Sequence, residues 1–418
     1  MHPLRANARI LTASLTGTAV EFYDFYVFAT ATALVFGELF FPVSSPEAQG
    51  VQAFMVFGLA FIARPIGAVA FGHYGDRVGR KATLVASLLL MGGSTVGIAF
   101  LPGFAAAGFL APVLLCVLRF GQGFGLGGEW GGAALLAVEN APKGWEARFG
   151  AAPQLGAPLG FLAANGLFLL LGLSLSEADF LSWGWRVPFL ASAVLVGIGL
   201  WVRVSLTETP AFKASLAIAP PPAVPIGALL AGHWRCVLAG SAGVIACFAL
   251  FYLSTAFALD LATRQLGYSR AEFLSLQLGA ILFLALGIVL AVWWADRTSP
   301  RRVLLLGSLG KMLVGLLFAA GLRSGSSLAV FATLALASFT MGFVYGPLSG
   351  WLAALYPVPV RYTGMSVAFN TGGIIGGAAM PLVAKQMVNA GQVGAIGLLL
   401  VAAGALSLLG VSLARRPV

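Results

Sequence analysis

Twelve stretches of this chain are apolar over a length that crosses a bilayer, with polar breaks between them. They cover residues 10–36, 51–72, 82–101, 108–138, 149–172, 185–203, 236–259, 272–294, 303–321, 327–355, 362–386 and 394–413. About 20 apolar residues in a helix span the hydrocarbon core. Inside hydrocarbon every backbone N–H and C=O needs an internal partner, so runs of this length fold as helices. A transmembrane β-barrel would instead show alternating segments of about ten residues. Composition agrees: 59% of the 418 residues are hydrophobic and 9% are charged, against about 25% charged in a soluble domain. The expected fold class is an all-α membrane protein with twelve transmembrane helices and nearly all its mass in the bilayer. The first run is too long and too acidic for a cleaved signal peptide, and no small-residue cleavage site follows it.

The net charge of +10 would suggest nucleic acid in a soluble chain. Here its placement gives another reading. Most basic residues, among them Arg5, Arg9, Lys81, Lys143, Arg203, Arg235, Arg301 and Arg302, fall on one side of the expected topology. The other side holds Arg186, Arg264, Arg270, Arg323 and Lys385. The positive-inside rule puts both termini in the cytoplasm, and no nucleic-acid partner is expected. Cys116, Cys236 and Cys247 stand alone in or beside apolar runs and read as small core residues. His2, His73 and His233 have no metal-ligand spacing, so no metal site is expected.

The two halves echo each other. Gly75-Asp76-Arg77-Val78-Gly79-Arg80-Lys81 lies between the second and third runs, and Ala295-Asp296-Arg297 through Arg301-Arg302 lies between the eighth and ninth. Arg148-Phe149-Gly150 leads into the fifth run as Arg361-Tyr362-Thr363-Gly364 leads into the eleventh. Such repeats suggest two pseudo-symmetric six-helix bundles, residues 1–204 and 235–418. Residues 205–234 read as a cytoplasmic linker, with the run Pro220-Pro221-Pro222 and a short surface helix from Pro210. The chain ends at Ala-Arg-Arg-Pro-Val, with no long C-terminal coiled coil expected. Glycines cluster on the fourth run (Gly121, Gly123, Gly125, Gly127, Gly128) and on the eleventh (Gly372, Gly373, Gly376, Gly377). They read first as close helix packing, because small residues let helices approach in lipid.

Charges within the apolar runs carry the chemistry. An ionised side chain at the bilayer centre costs at least about 2.5–3.5 kcal/mol and marks a site. Glu21 and Asp24 share a face of the first run; Arg119, Gln122 and Glu129 share a face of the fourth; Arg64 stands on the second. At 1.5 Å per residue, Glu21, Arg64 and Glu129 sit roughly 12–16 Å from the cytoplasmic edge, with Asp24 and Arg119 deeper. The expectation is two layers: Arg64 with Glu21 or Glu129, and Arg119 with Asp24. Buried pairs stabilise little on balance, so a static role explains them poorly. An acid that exchanges its arginine partner can take up and release a proton. Asp24, Glu21 and Glu129 are the proton-coupling candidates. Lys311 on the ninth run has no evident partner and is expected to snorkel or to pair with an unplaced acid.

Substrate candidates are Arg119, Arg64, Gln122, Tyr23 and Tyr26 in the first half, with Tyr252, Gln277, Tyr345, Trp351 and Asn370 in the second. They offer hydrogen bonds and aromatic surface to a small solute. Asp76, Arg77, Arg80, Glu139, Arg148, Asp296, Arg297 and Arg361 lie at run ends on one side. Acids and bases placed there can lock that side in one state and part in another. The bland reading of the same residues is charge that only sets orientation.

Gly72-His73-Tyr74-Gly75-Asp76-Arg77-Val78-Gly79-Arg80-Lys81, with the six-plus-six layout, resembles the loop signature of the major facilitator superfamily. Further stretches look like its metabolite:proton symporter subfamily: Glu21-Phe22-Tyr23-Asp24-Phe25, Arg64-Pro65-Ile66-Gly67, Arg119-Phe120-Gly121-Gln122-Gly123, Gly127-Gly128-Glu129-Trp130-Gly131-Gly132, Trp183 through Phe189, and Glu208-Thr209-Pro210-Ala211-Phe212. The resemblance covers nearly the whole chain. It implies the major facilitator fold, a central cavity, alternating access and proton symport of a small organic metabolite, with the proton gradient as energy source and no cofactor. It also implies a bacterial inner-membrane protein, and a monomer is expected to suffice. The lack of a C-terminal coiled coil points away from the osmosensing branch. Gln154 through Gly160 is a partial likeness to the Gly-Pro signature of drug antiporters, which keeps export open as an alternative. A channel would not need locks on both halves, and no nucleophile–base pair supports an enzyme. A carboxylate is favoured by Arg64 and Arg119; Glu21, Asp24 and Glu129 leave a zwitterion or cation open.

Overall fold

A computed structural model describes residues 7–78, 80–127, 129–205 and 225–414. Among them eleven helices are long and apolar enough to cross a membrane. These are α1 (Ile10–Phe40), α2 (Pro46–Val78), α4 (Leu110–Glu139), α5 (Glu146–Ser174), α6 (Val187–Ser205), α7 (Leu229–Arg264), α8 (Arg270–Arg297), α9 (Pro300–Leu322), α10 (Ser327–Ala353), α11 (Val360–Asn389) and α12 (Ile396–Leu413). The twelfth, α3 (Arg80–Ala99), has a shorter apolar stretch, Val85–Ala99. No strand occurs among the described residues.

The last part of the expected linker is helical. A helix starts at Pro225 and runs on as α7, which kinks at His233 (φ −133°, ψ 18°). Proline suits the first helical turn, and Leu229 is fully buried. The surface helix expected from Pro210 lies outside the described residues.

Packing repeats when six is added to each helix number. α1 packs on α5 and α7 on α11; α2 packs on α4 and α8 on α10; α3 packs on α6 and α9 on α12. The bundles meet through α5 against α8 and α2 against α11, which are also pseudo-symmetric partners. Glycine sets the spacing in both halves. A Cβ on Gly67 would lie 1.9 Å from the Phe124 carbonyl oxygen, and one on Gly342 2.1 Å from that of Leu284. Those helices touch backbone to backbone, the close packing expected of glycines in lipid. The symmetric helices α1 and α7 each carry a π turn, Thr32–Phe36 and Leu253–Phe257, and α11 carries a third at Ile374–Ala379. Each leaves backbone groups out of the regular ladder. In α7 the Gln277 amide of α8 donates to the freed carbonyls of Ser254 (3.0 Å) and Thr255 (2.9 Å).

Candidate functional site

A cavity lies where the bundles meet. α1, α2 and α4 supply Glu21, Phe22, Tyr26, Arg64 and Trp130; α7, α10 and α11 supply Cys247, Tyr252, Tyr345, Ser366 and Asn370. Its volume is about 40 Å³, room for about three waters. Aromatic contacts that cross between the halves wall it in. Trp130 of α4 stacks on Phe369 of α11 at 3.6 Å, Tyr26 of α1 meets Phe251 of α7 at 5.2 Å, and Phe57 of α2 meets Tyr252 at 5.3 Å.

Polar contacts cross between the halves on both faces. On the face where α1 begins and α12 ends, hereafter the terminal face, the C-terminal end of α8 meets the N-terminal end of α5. The Asp296 carboxylate accepts from the backbone N–H of Ala147 (2.9 Å) and Arg148 (3.2 Å) and from Arg148 Nε (2.6 Å). It caps a helix of the other half, where an anion suits the dipole. Glu139 of α4 lies 3.6 Å from Arg361 of α11. On the opposite face, Lys385 of α11 and Arg264 of α7 share the buried Asp260 carboxylate. Arg264 reaches Glu38 of α1 at 3.7 Å, and Arg270 pairs with Glu177 across the halves. Polar contacts thus join the two halves on both faces.

Within the first half, the expected ion-pair layers do not form. Arg119 is fully buried but does not bind Asp24. Its guanidinium donates to Gln122 Oε1 and to the Phe57 carbonyl (3.2 and 3.3 Å), and lies over the rings of Phe25 and Phe28. The Asp24 carboxylate accepts instead from Ser192 of α6 and Thr95 of α3 (3.3 Å). Asp24 points toward α3 and α6, whereas the Phe25 and Phe28 rings occupy the space against Arg119. Nor does Arg64 form an ion pair with Glu21 or Glu129 among the described residues. It stacks on Phe25 (4.3 Å) and Phe61 (4.7 Å). Arg119 is also 4.3 Å from the Phe25 centroid. Both guanidiniums therefore lie against the Phe25 ring. Glu129 accepts from Ser87 of α3.

Of the candidate substrate residues, Arg64, Tyr26, Tyr252, Tyr345 and Asn370 line the cavity, and Glu21 joins them. The others are placed elsewhere. Tyr23 donates to the Pro188 carbonyl at 2.8 Å. Gln122 donates to the Asp24 carbonyl (3.0 Å) and Thr95 Oγ1 (2.9 Å). Gln277 is committed to the α7 carbonyls, and Trp351 packs against Gly243. Lys311 does not snorkel: it is fully buried, and its Nζ has no hydrogen-bond partner among the described residues.

Among the candidate lock residues, Arg148 and Asp296 pair directly, as do Glu139 and Arg361. Arg297 instead lies over Trp293 of its own helix at 3.4 Å. The side chains of Asp76, Arg77 and Arg80 lie outside the described residues. Trp130, Phe369, Ser366 and the Asp260–Lys385 pair carry no role in the sequence reading. Ser366 could have been found from Asn370, one helical turn away on the same face. Cys247, expected as a core residue, lines the cavity. No cluster of three or more His, Cys, Asp and Glu that could hold a metal occurs among the described residues.

Residues 10–216 and 231–413 match the family described as sugar (and other) transporter. The chain is 46% identical to the inner membrane metabolite transport protein YhjE of Escherichia coli K12, over 97% of this chain and 94% of that one. It is 37% identical to the shikimate transporter of the same strain, over 91% and 88%. It is 29% identical to the E. coli K12 proline/betaine transporter, over 92% and 78%. Among solved structures, a D-xylose-proton symporter superposes with a TM-score of 0.77 at 17% identity, covering 97% of this chain and 96% of that one. At that identity the likeness is one of fold.

Proposed function

We propose, since this chain belongs to the sugar (and other) transporter family of the major facilitator superfamily, that it carries a small organic carboxylate together with protons by alternating access. It is a multi-pass membrane transporter and not an enzyme. The observation that carries the substrate reading is Arg64. Its guanidinium faces the enclosed cavity at 6% exposure and has no carboxylate within ion-pair distance among the described residues. A buried charge without a counter-ion is costly, and guanidinium binds carboxylate bidentately. A solute carboxylate supplies the missing partner. Shikimate, proline and betaine, named for relatives of this chain, each carry one.

The proton travels on an acid whose surroundings change as the halves rock. Glu21 lies in the cavity wall, Asp24 one turn deeper behind Phe25, and Glu129 beside α3. The contacts on the two faces are the locks that alternate: Asp296 with the start of α5 and Glu139 with Arg361 on one side, the Asp260 cluster with Glu38 on the other. We place the protein in a bacterial inner membrane with both termini in the cytoplasm. It works as a monomer with the proton gradient as its energy source and no cofactor. A second reading, a zwitterion, is favoured by Glu21 in the same cavity. The test is uptake into proteoliposomes with and without an inward proton gradient. Gradient-driven accumulation should fail in at least one of Asp24→Asn, Glu21→Gln and Glu129→Gln. If all three variants accumulate solute as the parent does, the proton route is wrong.

A further inference from the structure

Buried polar atoms without a partner cluster around the cavity. Among the described residues Arg64 Nε, Tyr345 Oη and Ser366 Oγ have none. The Asn370 side chain, one turn from Ser366 in the wall, makes no hydrogen bond among them either. Their chemistry is divided between the halves. The first half contributes the guanidinium and the Glu21 carboxylate; the second contributes only neutral groups, two hydroxyls and an amide. The space between is bounded by rings, with Tyr26 and Phe251 on one side and the Trp130–Phe369 stack on the other. No lysine and no second arginine lines it among the described residues.

We infer that the solute is a hydroxylated monocarboxylate. This rests on Arg64 as the carboxylate site. The carboxylate sits on Arg64, the carbon frame lies against the aromatic walls, and the solute hydroxyls bond Tyr345, Ser366 and Asn370. A second carboxylate would meet no cation at that pole. A quaternary ammonium would leave the two hydroxyls and the amide unbonded. A site built to bond a solute hydroxyl rejects the analogue that lacks it far more strongly than an apolar pocket rejects an extra group.

The test uses the full chain in detergent and reads the ligand concentration that gives half-maximal thermal stabilisation. The probes are cyclohexanecarboxylate and 3,4-dihydroxycyclohexanecarboxylate, benzoate and 3,4-dihydroxybenzoate, succinate and glycine betaine. The dihydroxylated member of at least one pair should act at a concentration at least about tenfold lower than its parent. Tyr345→Phe and Ser366→Ala should close that gap while leaving the parent acid's value unchanged. Neither hydroxyl has a hydrogen-bond partner within distance among the described residues, so neither substitution removes a bond described in the fold. Equal values for acid and hydroxy acid overturn the inference and leave the carboxylate reading standing, provided Arg64→Ala abolishes both. Tighter binding of succinate or glycine betaine overturns the inference alone. If no carboxylate binds, both fall.

Discussion

Removing the Asp296 carboxylate should open the terminal face. It accepts three hydrogen bonds from the start of α5, at 2.6, 2.9 and 3.2 Å, and is 3% exposed. Hydrogen bonds to a charged group contribute about 1.5–3 kcal/mol each. The two backbone N–H groups and Arg148, which is 27% exposed, can turn to water once the halves part. The state-dependent loss is therefore well below the sum, at about 2–3 kcal/mol. At about 1.4 kcal/mol per tenfold, this shifts the closed-to-open equilibrium by roughly 30- to 150-fold. Cys247 in the cavity wall is a native reporter. With Cys116 and Cys236 changed to serine, a membrane-impermeant maleimide is applied to inside-out vesicles in the absence of solute. Asp296→Ala should raise the Cys247 labelling rate at least tenfold, and Asp296→Asn, which keeps one acceptor oxygen, should raise it less. An unchanged rate in both Asp296→Ala and Arg148→Ala would refute the lock.

Three further outcomes follow from the same geometry. Arg64→Lys keeps the charge but loses the bidentate fork, so the KM for uptake should rise at least about tenfold in proteoliposomes while Arg64→Ala abolishes uptake; an unchanged KM in Arg64→Lys would count against the carboxylate site. Gly342→Ala drives a methyl group into the Leu284 carbonyl and should destabilise the α8–α10 contact by about 1–3 kcal/mol, read as a lower midpoint of thermal unfolding in detergent. Lys385→Met removes one of two partners from the buried Asp260; Arg264 still pairs with the carboxylate, so the cost is that of one charged hydrogen bond, about 1.5–3 kcal/mol. The double variant Lys385→Met with Asp260→Leu should recover much of that stability, and a double variant no better than the single would show that the charge pair is not the cause.

Hydrophobicity by itself determined the architecture of this protein. Apolar runs of about 20 residues have one way to satisfy their backbone in lipid, and the echoed loops at Asp76 and Asp296 marked where the second half repeats the first. Sequence also picked out the ionisable residues within the spans as candidates, because charge in hydrocarbon is expensive wherever it points. Partners were another matter. Helical spacing put Glu21 and Asp24 on one face, yet Glu21 lines the cavity while Asp24 turns to Ser192 and Thr95 on α6 and α3. Arg119 and Asp24 lay at similar depth but are kept from pairing by rings that a depth estimate cannot see. Gln277 read as a solute contact because the π turn it serves in α7 leaves no mark in composition. Periodicity gives which residues share a stripe; the rotation of each helix about its axis, and hence what that stripe faces, is decided by side-chain volume on its neighbours. That is why only the packed structure brought Arg64, Tyr345, Ser366 and Asn370 around one enclosed space.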